Sequence, residues 1–262
     1  MRGQTATASR FWPVMECDRA VSVSSHDMPQ SLYASLCAAQ KKWPDRACMV
    51  DTAGISYTYS QLLDMTDCFS EELFRNYGVR PGMQIGVLLY DSIAFCVSIY
   101  ALNRLRAVAV PLPVSCQRQE LFALIGRTDL DGLIFHRDFL QWFPIETGKC
   151  FLLCLRETVP ELFQDTVSDP ALPEQDTLAE DPAILLCQSA AGTMIRNNTL
   201  TNRDIMQEIA VRRKAFQTVK SERTIFPVPD CDAAGRITAM GLFLQAGGCI
   251  WLRKSIRAVC TF

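Results

Sequence analysis

Asp181 to Ile205 reads DPAILLCQSAAGTMIRNNTLTNRDI, and the interpretation of this stretch governs that of the whole chain. Ala183 to Cys187 is a short, well-bounded apolar run, the signature of a buried strand. Ser189, Ala190, Ala191, Gly192 and Thr193 follow as a loop of small residues, where backbone N–H groups and hydroxyls can approach an anion closely. Arg196 adds a cation. Asn197, Asn198 and Thr201 then offer helix-capping side chains ahead of Ile205, Ile209 and Ala210, which recur at helical spacing. The expected order is strand, phosphate-sized bend, basic residue, helix. A plain turn fits the same residues, because small-residue bends between strands and helices are common.

Toward the N-terminus, strand and helix alternate at short spacing. Leu32, Leu36 and Ala39 mark a helix from Ser31 to Trp43 that stops at Pro44-Asp45. Ala47 to Asp51 reads as a strand, and Ile55, Tyr57 and Tyr59 alternate with Ser56 and Thr58 to complete a hairpin. Ser60 is the expected cap of the next helix, which carries Leu62, Leu63, Met65, Phe69, Leu73 and Phe74 and closes on Gly78. The Pro81-Gly82 turn leads into Ile85 to Tyr90, an uninterrupted apolar strand of the kind buried on both faces of a parallel sheet. Asp91-Ser92 opens a helix, Ile93 to Arg104. Strand Ala107 to Leu112, helix Gln119 to Arg127 and strand Gly132 to Phe135 continue the alternation. It implies right-handed βαβ units and an α/β fold, a doubly wound, mostly parallel sheet with helices on both faces.

Arg137 to Glu180 is irregular apart from a strand at Cys150 to Leu155, and Asp165 to Asp181 reads as an exposed connector. Beyond the small-residue bend come helix Arg203 to Phe216, strand Thr224 to Pro229, helix Ile237 to Leu244 and strand Cys249 to Leu252. The expected division is a flexible arm at 1–28, a first α/β subdomain at 29–180 and the start of a second at 181–262.

The 262 residues are 49% hydrophobic and 21% charged, which suits one large or two modest globular domains. With 26 basic and 28 acidic residues, well mixed, there is no basic field and no nucleic-acid partner is expected. The 12 cysteines include no CxxC pair and have no nearby histidine, so buried reduced thiols are expected and no metal site. No apolar run reaches the roughly 18 to 20 residues of a membrane span, and the N-terminus lacks a secretory apolar core. A cytoplasmic setting is expected. His26 and His136 read as solvent-facing, Ser189 has no evident His/Asp partner, and no residue is singled out as catalytic.

The stretch at Ser189 resembles the phosphate-loop signature of the adenylate-forming (AMP-binding) superfamily, which includes acyl-CoA synthetases and reads roughly TSGTTGxPKGVxxTHxN. Ser189 falls on the family serine, Arg196 on the lysine and Thr201 on the late threonine. The departures are Gln188, Ala190, Ala191, Gly192, Thr193 and Ile195 within the loop, and Asn202 in place of the histidine. Three further phrases are similar to the family's first subdomain: Tyr57 to Leu62 (YTYSQL), Gly78 to Gly86 (GVRPGMQIG) and Arg106 to Leu112 (RAVAVPL), with Arg106 where the family has glycine. In the family's PxFHxxG phrase, Cys231 and Asp232 replace the aromatic residue and the histidine. The resemblance covers roughly Ser31 to Lys254.

The resemblance implies the N-terminal portion of an ATP-dependent, AMP-forming acid–thiol ligase, not competent for the full reaction alone. The alternative is an inactive scaffold or interaction module derived from such an enzyme. Ser189, Gly192, Thr193, Arg196 and Thr201 are the implied phosphate-side contacts, with fewer hydroxyls than the family supplies. ATP with magnesium is the implied cofactor, and a carboxylic acid the substrate. CoA or a carrier thiol enters only with a C-terminal half, which carries the family's catalytic lysine. Cys249 to Leu252 would sit mid-sheet, so a complementing chain or homo-oligomer is expected to cover an open edge.

Overall fold

The computed structural model describes residues 29–143, 150–155, 177–190, 194–216, 223–226 and 233–252. The polar N-terminal arm and His26 lie outside the described residues. Local chemistry sets most helix starts. The Ser31 hydroxyl accepts the Ala34 N–H and caps α1 (Leu32–Lys42), and Ser92 does the same for α3 (Ile93–Arg104) through Phe95 N–H. Helix α2 (Tyr59–Asn76) begins two residues earlier than expected. Thr58 caps it instead of Ser60, in a capping box with Gln61.

Among the described residues, ten strands form two sheets. The larger has the order β6-β5-β3-β4-β7-β8, from β3 (Gln84–Leu88), β4 (Val108–Pro111), β5 (Gly132–His136), β6 (Phe151–Leu155), β7 (Pro182–Ala190) and β8 (Met194–Thr201). Every pairing in it is parallel except that of β7 with β8. The smaller has the order β2-β1-β10-β9, from the hairpin β1 (Ala47–Val50) and β2 (Ser56–Thr58) together with β9 (Arg223–Phe226) and β10 (Cys249–Leu252). Helices α4 (Arg118–Ile125), α5 (Asn202–Phe216) and α6 (Ala233–Gln245) complete the described elements, with a 3-10 turn at Arg137–Trp142.

This is the α/β class expected, with one difference in how the chain is distributed. Strand pairing crosses residue 180 in both directions. β7, from the later part, pairs with β4 through Ala109 and Ile184, and β1, from the earlier part, pairs with β10 through Met49 and Ile250. β10 therefore sits between β1 and β9, within the sheet.

The core is layered accordingly. One apolar cluster joins Leu32 and Leu36 of α1, Tyr59 and Leu62 of α2, Tyr100 of α3 and Leu244 of α6 to Ile85 of the large sheet and Ile250 of the small one. A second lies on the other face of the large sheet, where Leu121 of α4 and Phe139 of the 3-10 turn cover Leu88, Val110 and Phe135. Helices thus cover both faces of the large sheet. The fully buried Tyr59 hydroxyl lies 2.9 Å from both the Leu244 and Gly248 carbonyl oxygens and ties the start of α2 to the end of α6. The nine described cysteines are free, and two of them, Cys48 and Cys96, are fully buried. The others are half-buried, which corrects the expectation of uniformly buried thiols.

Close packing at Gly132 yields a test of the parallel β5–β6 pairing. A Cβ there would run into the Phe151 ring directly across the ladder. Gly132→Ala should lower the unfolding free energy by about 1 to 3 kcal/mol, the range for overpacking a filled core. An unchanged urea midpoint would contradict this register.

Candidate functional site

The expected strand-bend-helix unit contains an additional strand. β7 runs Pro182–Ala190, and the chain returns as β8 over Met194–Thr201, antiparallel to it, before α5 begins at Asn202. In the backbone register Ser189 lies opposite Ile195 and Arg196 opposite Gln188, so these two site residues come together on the last rungs of a hairpin. Gly192 and Thr193 lie outside the described residues. Asn197 and Asn198, expected as helix caps, instead pair with Cys187 and Leu186 within β8.

Thr201 does the capping. Its hydroxyl accepts the Asp204 N–H at 3.2 Å and donates to Asp204 Oδ2 at 2.8 Å, while its own N–H donates to the same carboxylate oxygen at 2.8 Å. The leading amides of α5 are also occupied. Asn202 N–H donates to the Asp181 carbonyl at 3.0 Å and Arg203 N–H to the Ala179 carbonyl at 2.8 Å. A helix N-terminus attracts anions through its free N–H groups. Here the first three donate within the protein and are not free for an anion.

Both feet of the hairpin are pinned. Asp181, just before β7, receives Arg106 Nε at 2.8 Å and Nη2 at 2.9 Å, and also the Leu178 N–H at 2.8 Å. Asn202, just after β8, is buried; its Nδ2 donates to the Leu178 carbonyl at 3.0 Å and its Oδ1 accepts Asn103 Nδ2 at 2.8 Å. Neither contact was foreseen from the sequence, where Arg106 and Asn202 stood out only as departures from the family pattern.

A second group lies at the C-terminal ends of the parallel strands. Loops after β3 and β4 there lead to helices on opposite faces, and such switch points are where open α/β sheets place ligands. Asp91, whose side chain is only 5% exposed, receives Arg236 Nη1 from the first turn of α6 at 2.9 Å. The Arg236 guanidinium also lies 5.8 Å from the Phe95 ring centroid. Burial pushes the Asp91 carboxyl above its ordinary value, against the opposing pull of the Arg236 charge. Nearby, His136 is buried, which corrects the expectation that it faces solvent. Its Nδ1 accepts the Asp138 N–H at 3.2 Å, and the Tyr90 ring meets its ring edge-on at 5.0 Å.

The sequence profile of the AMP-binding enzyme family matches residues 36–258. The chain belongs to that family. An oxalate–CoA ligase of Arabidopsis thaliana is 20% identical over 229 residues, which are 84% of this chain and 45% of that enzyme. The N-terminal subdomain of Klebsiella oxytoca NpsA, solved with 3-hydroxybenzoyl-AMSN, superposes with a TM-score of 0.70 at 16% identity, covering 88% of this chain and 56% of that one. The nonribosomal peptide synthetase FmoA3 bound to AMPPNP gives a TM-score of 0.73 at 18% identity, over 92% of this chain and 24% of that one. The chain therefore spans about half the length of the oxalate–CoA ligase it matches.

Among the described residues no group of three His, Cys, Asp or Glu side chains could hold a metal ion, and no helix is long and apolar enough to cross a membrane.

The Asp91–Arg236 pair is directly testable. Arg236→Leu strands a buried carboxylate, which costs roughly 3 kcal/mol, the low end for a broken buried pair because Arg236 retains some exposure. A raised folded-state pKa means that stability is greatest where the group is protonated and falls as pH rises through that pKa. The deficit of the variant should therefore be small below the ordinary carboxylate value of 3.8 and grow toward neutrality. A deficit independent of pH would show that Asp91 is not the group left unpaired.

Proposed function

We propose that this chain binds ATP with magnesium through the β7–β8 hairpin and serves as the nucleotide-side part of an AMP-forming acid–thiol ligase. Ser189, Gly192, Thr193 and Arg196 are its phosphate-side contacts, and Thr201 supports them by capping α5. The observation that carries the reading is the placement of the hairpin. Its Ser189 and Arg196 rungs come together at the far end of β7, the strand that pairs with β4 through Ile184, in a chain matched to the AMP-binding family over residues 36–258. ATP supplies the activation chemistry, in which a carboxylate joins the α-phosphate and pyrophosphate leaves. What these residues do is hold phosphoryl oxygens in place with oriented donors and one guanidinium. Arg196 does so with a planar fork, which suits two phosphate oxygens at once and differs from a lysine point charge. A carboxylic acid is the substrate and a thiol the acceptor.

A second reading, a scaffold of this family that no longer turns over, is favoured by one observation. The first three amides of α5 and the Thr201 hydroxyl are all committed within the protein.

Thermal unfolding separates the two. At ATP concentrations 100-fold above Kd, binding stabilises the folded state by about 2.7 kcal/mol, a shift of roughly 5 to 10 °C for a chain of this size. Magnesium–ATP should raise the Tm of the wild-type chain and leave that of Arg196→Ala unchanged. No wild-type shift at millimolar ATP excludes nucleotide binding and leaves the scaffold reading.

A further inference from the structure

We infer that Asn103 and Arg106 form a two-pronged clamp that sets the position of the β7–β8 hairpin and thereby its affinity for a nucleotide. The two residues lie three apart, at the end of α3 and in the bend before β4, and the Arg106 N–H donates to the Asn103 carbonyl at 3.1 Å. Their prongs reach different feet of one hairpin. Arg106 takes Asp181 on the incoming side with a bidentate pair, and Asn103 takes Asn202 on the outgoing side. The Asn103 Oδ1 is in turn fixed by the Tyr33 N–H at 2.9 Å, so its amide is held from α1.

Arg106 has φ of +56°, and it alone among the described non-glycine residues has a positive φ. A side chain in that region costs about 1 kcal/mol or more, and such strain persists only where the surroundings enforce it. Here the compensating contact is the fork on Asp181. Arg106 and Asn202 are also two of the positions at which this chain departs from its family's pattern, and the clamp gives both departures one explanation. Each supplies a side chain that a glycine or an imidazole could not place in the same way. Asn103 and Arg106 are thus positioning residues, acting through the hairpin on whatever its far rungs hold.

The test uses the full chain with Arg106→Gly, Arg106→Lys and Asn103→Leu. Glycine adopts the bend freely, so Arg106→Gly removes a prong without adding strain. Lysine keeps the charge and loses the fork. Hydrogen exchange should quicken in Arg106→Gly and Asn103→Leu at amides 183–190 and 194–200, with those of α2 unchanged and, in α1, only the Tyr33 amide of Asn103→Leu affected, and Arg106→Lys should fall between these and wild type. The nucleotide arm rests on the function proposed above. Calorimetric titration with magnesium–ATP at 10 °C should give an affinity about tenfold weaker for Arg106→Gly and Asn103→Leu than for wild type. Hairpin exchange unchanged in all three variants, or quickened equally across the whole chain, overturns the clamp. Failure of the wild-type chain to bind magnesium–ATP overturns the nucleotide reading alone, and the exchange comparison still decides the clamp.

Discussion

The left-handed bend at Arg106 is the constraint on which the large sheet depends. It ends α3 and aims β4 into the middle of the sheet, where β4 meets β3 on one side and β7 on the other. The Gly82 N–H donates to the Arg106 carbonyl at 2.9 Å, so the same residue also fixes the turn that leads into β3. A parallel sheet gains nothing until strands distant in sequence are brought into register, and loop-closure entropy opposes each such pairing. The bend settles the β3–β4 pairing locally. Its guanidinium then reaches across about 75 residues of sequence to Asp181 and fixes the start of β7. A glycine would make the turn with less strain and leave that long-range step to backbone pairing alone.

The small sheet depends on a different contact. β1 and β10 are joined in parallel although nearly the whole chain separates them. The layer of helices between the two sheets makes this closure possible, because α1, α2, α3 and α6 present apolar side chains to both. Tyr59 makes the arrangement specific. Its buried hydroxyl must find an acceptor, and the carbonyls of Leu244 and Gly248 are placed where α6 turns into β10. Gly247, with φ of +73°, packs against the Trp43 ring in the same turn, and an added Cβ there would come within 2.9 Å of the ring. The large sheet is thus fastened by an ion pair and the small one by a phenol.

Much of this was legible in the sequence, for local reasons. The bounds of α3 follow from Ser92 and an unbroken apolar run, and those of β10 from Gly247-Gly248 before it. β8 was missed because it is an edge strand. Pairing on one side lets it carry Arg196, Asn197 and Asn198, which break the apolar pattern, the two asparagines reading as helix caps. His136 was misread because its burial comes from Tyr90 and the following 3-10 turn, not from neighbours in sequence. The division of strands between sheets could not be read at all, since strand patterns carry no record of which distant partner each strand takes. At the site, the resemblance located the hairpin, while the hydrogen bonds at its feet became apparent only once α3 was placed beside it.

Those feet bear on how a phosphate can be recognised in this chain. The usual anion site at a strand–helix junction combines a small-residue loop with the free amides of the helix that follows. In this chain the helix contribution is already spent, because Asp181, Ala179 and Thr201 accept from the first three α5 amides. Helix and loop are separated by the length of β8, eight residues, so the dipole of α5 is also remote from the far rungs of the hairpin. Dipole effects fade within a turn or so of the helix end. Under the function proposed above, charge recognition at the far rungs falls to Arg196 and Ser189. On that proposal the site has little redundancy, and its geometry depends on how firmly the other end of the hairpin is held.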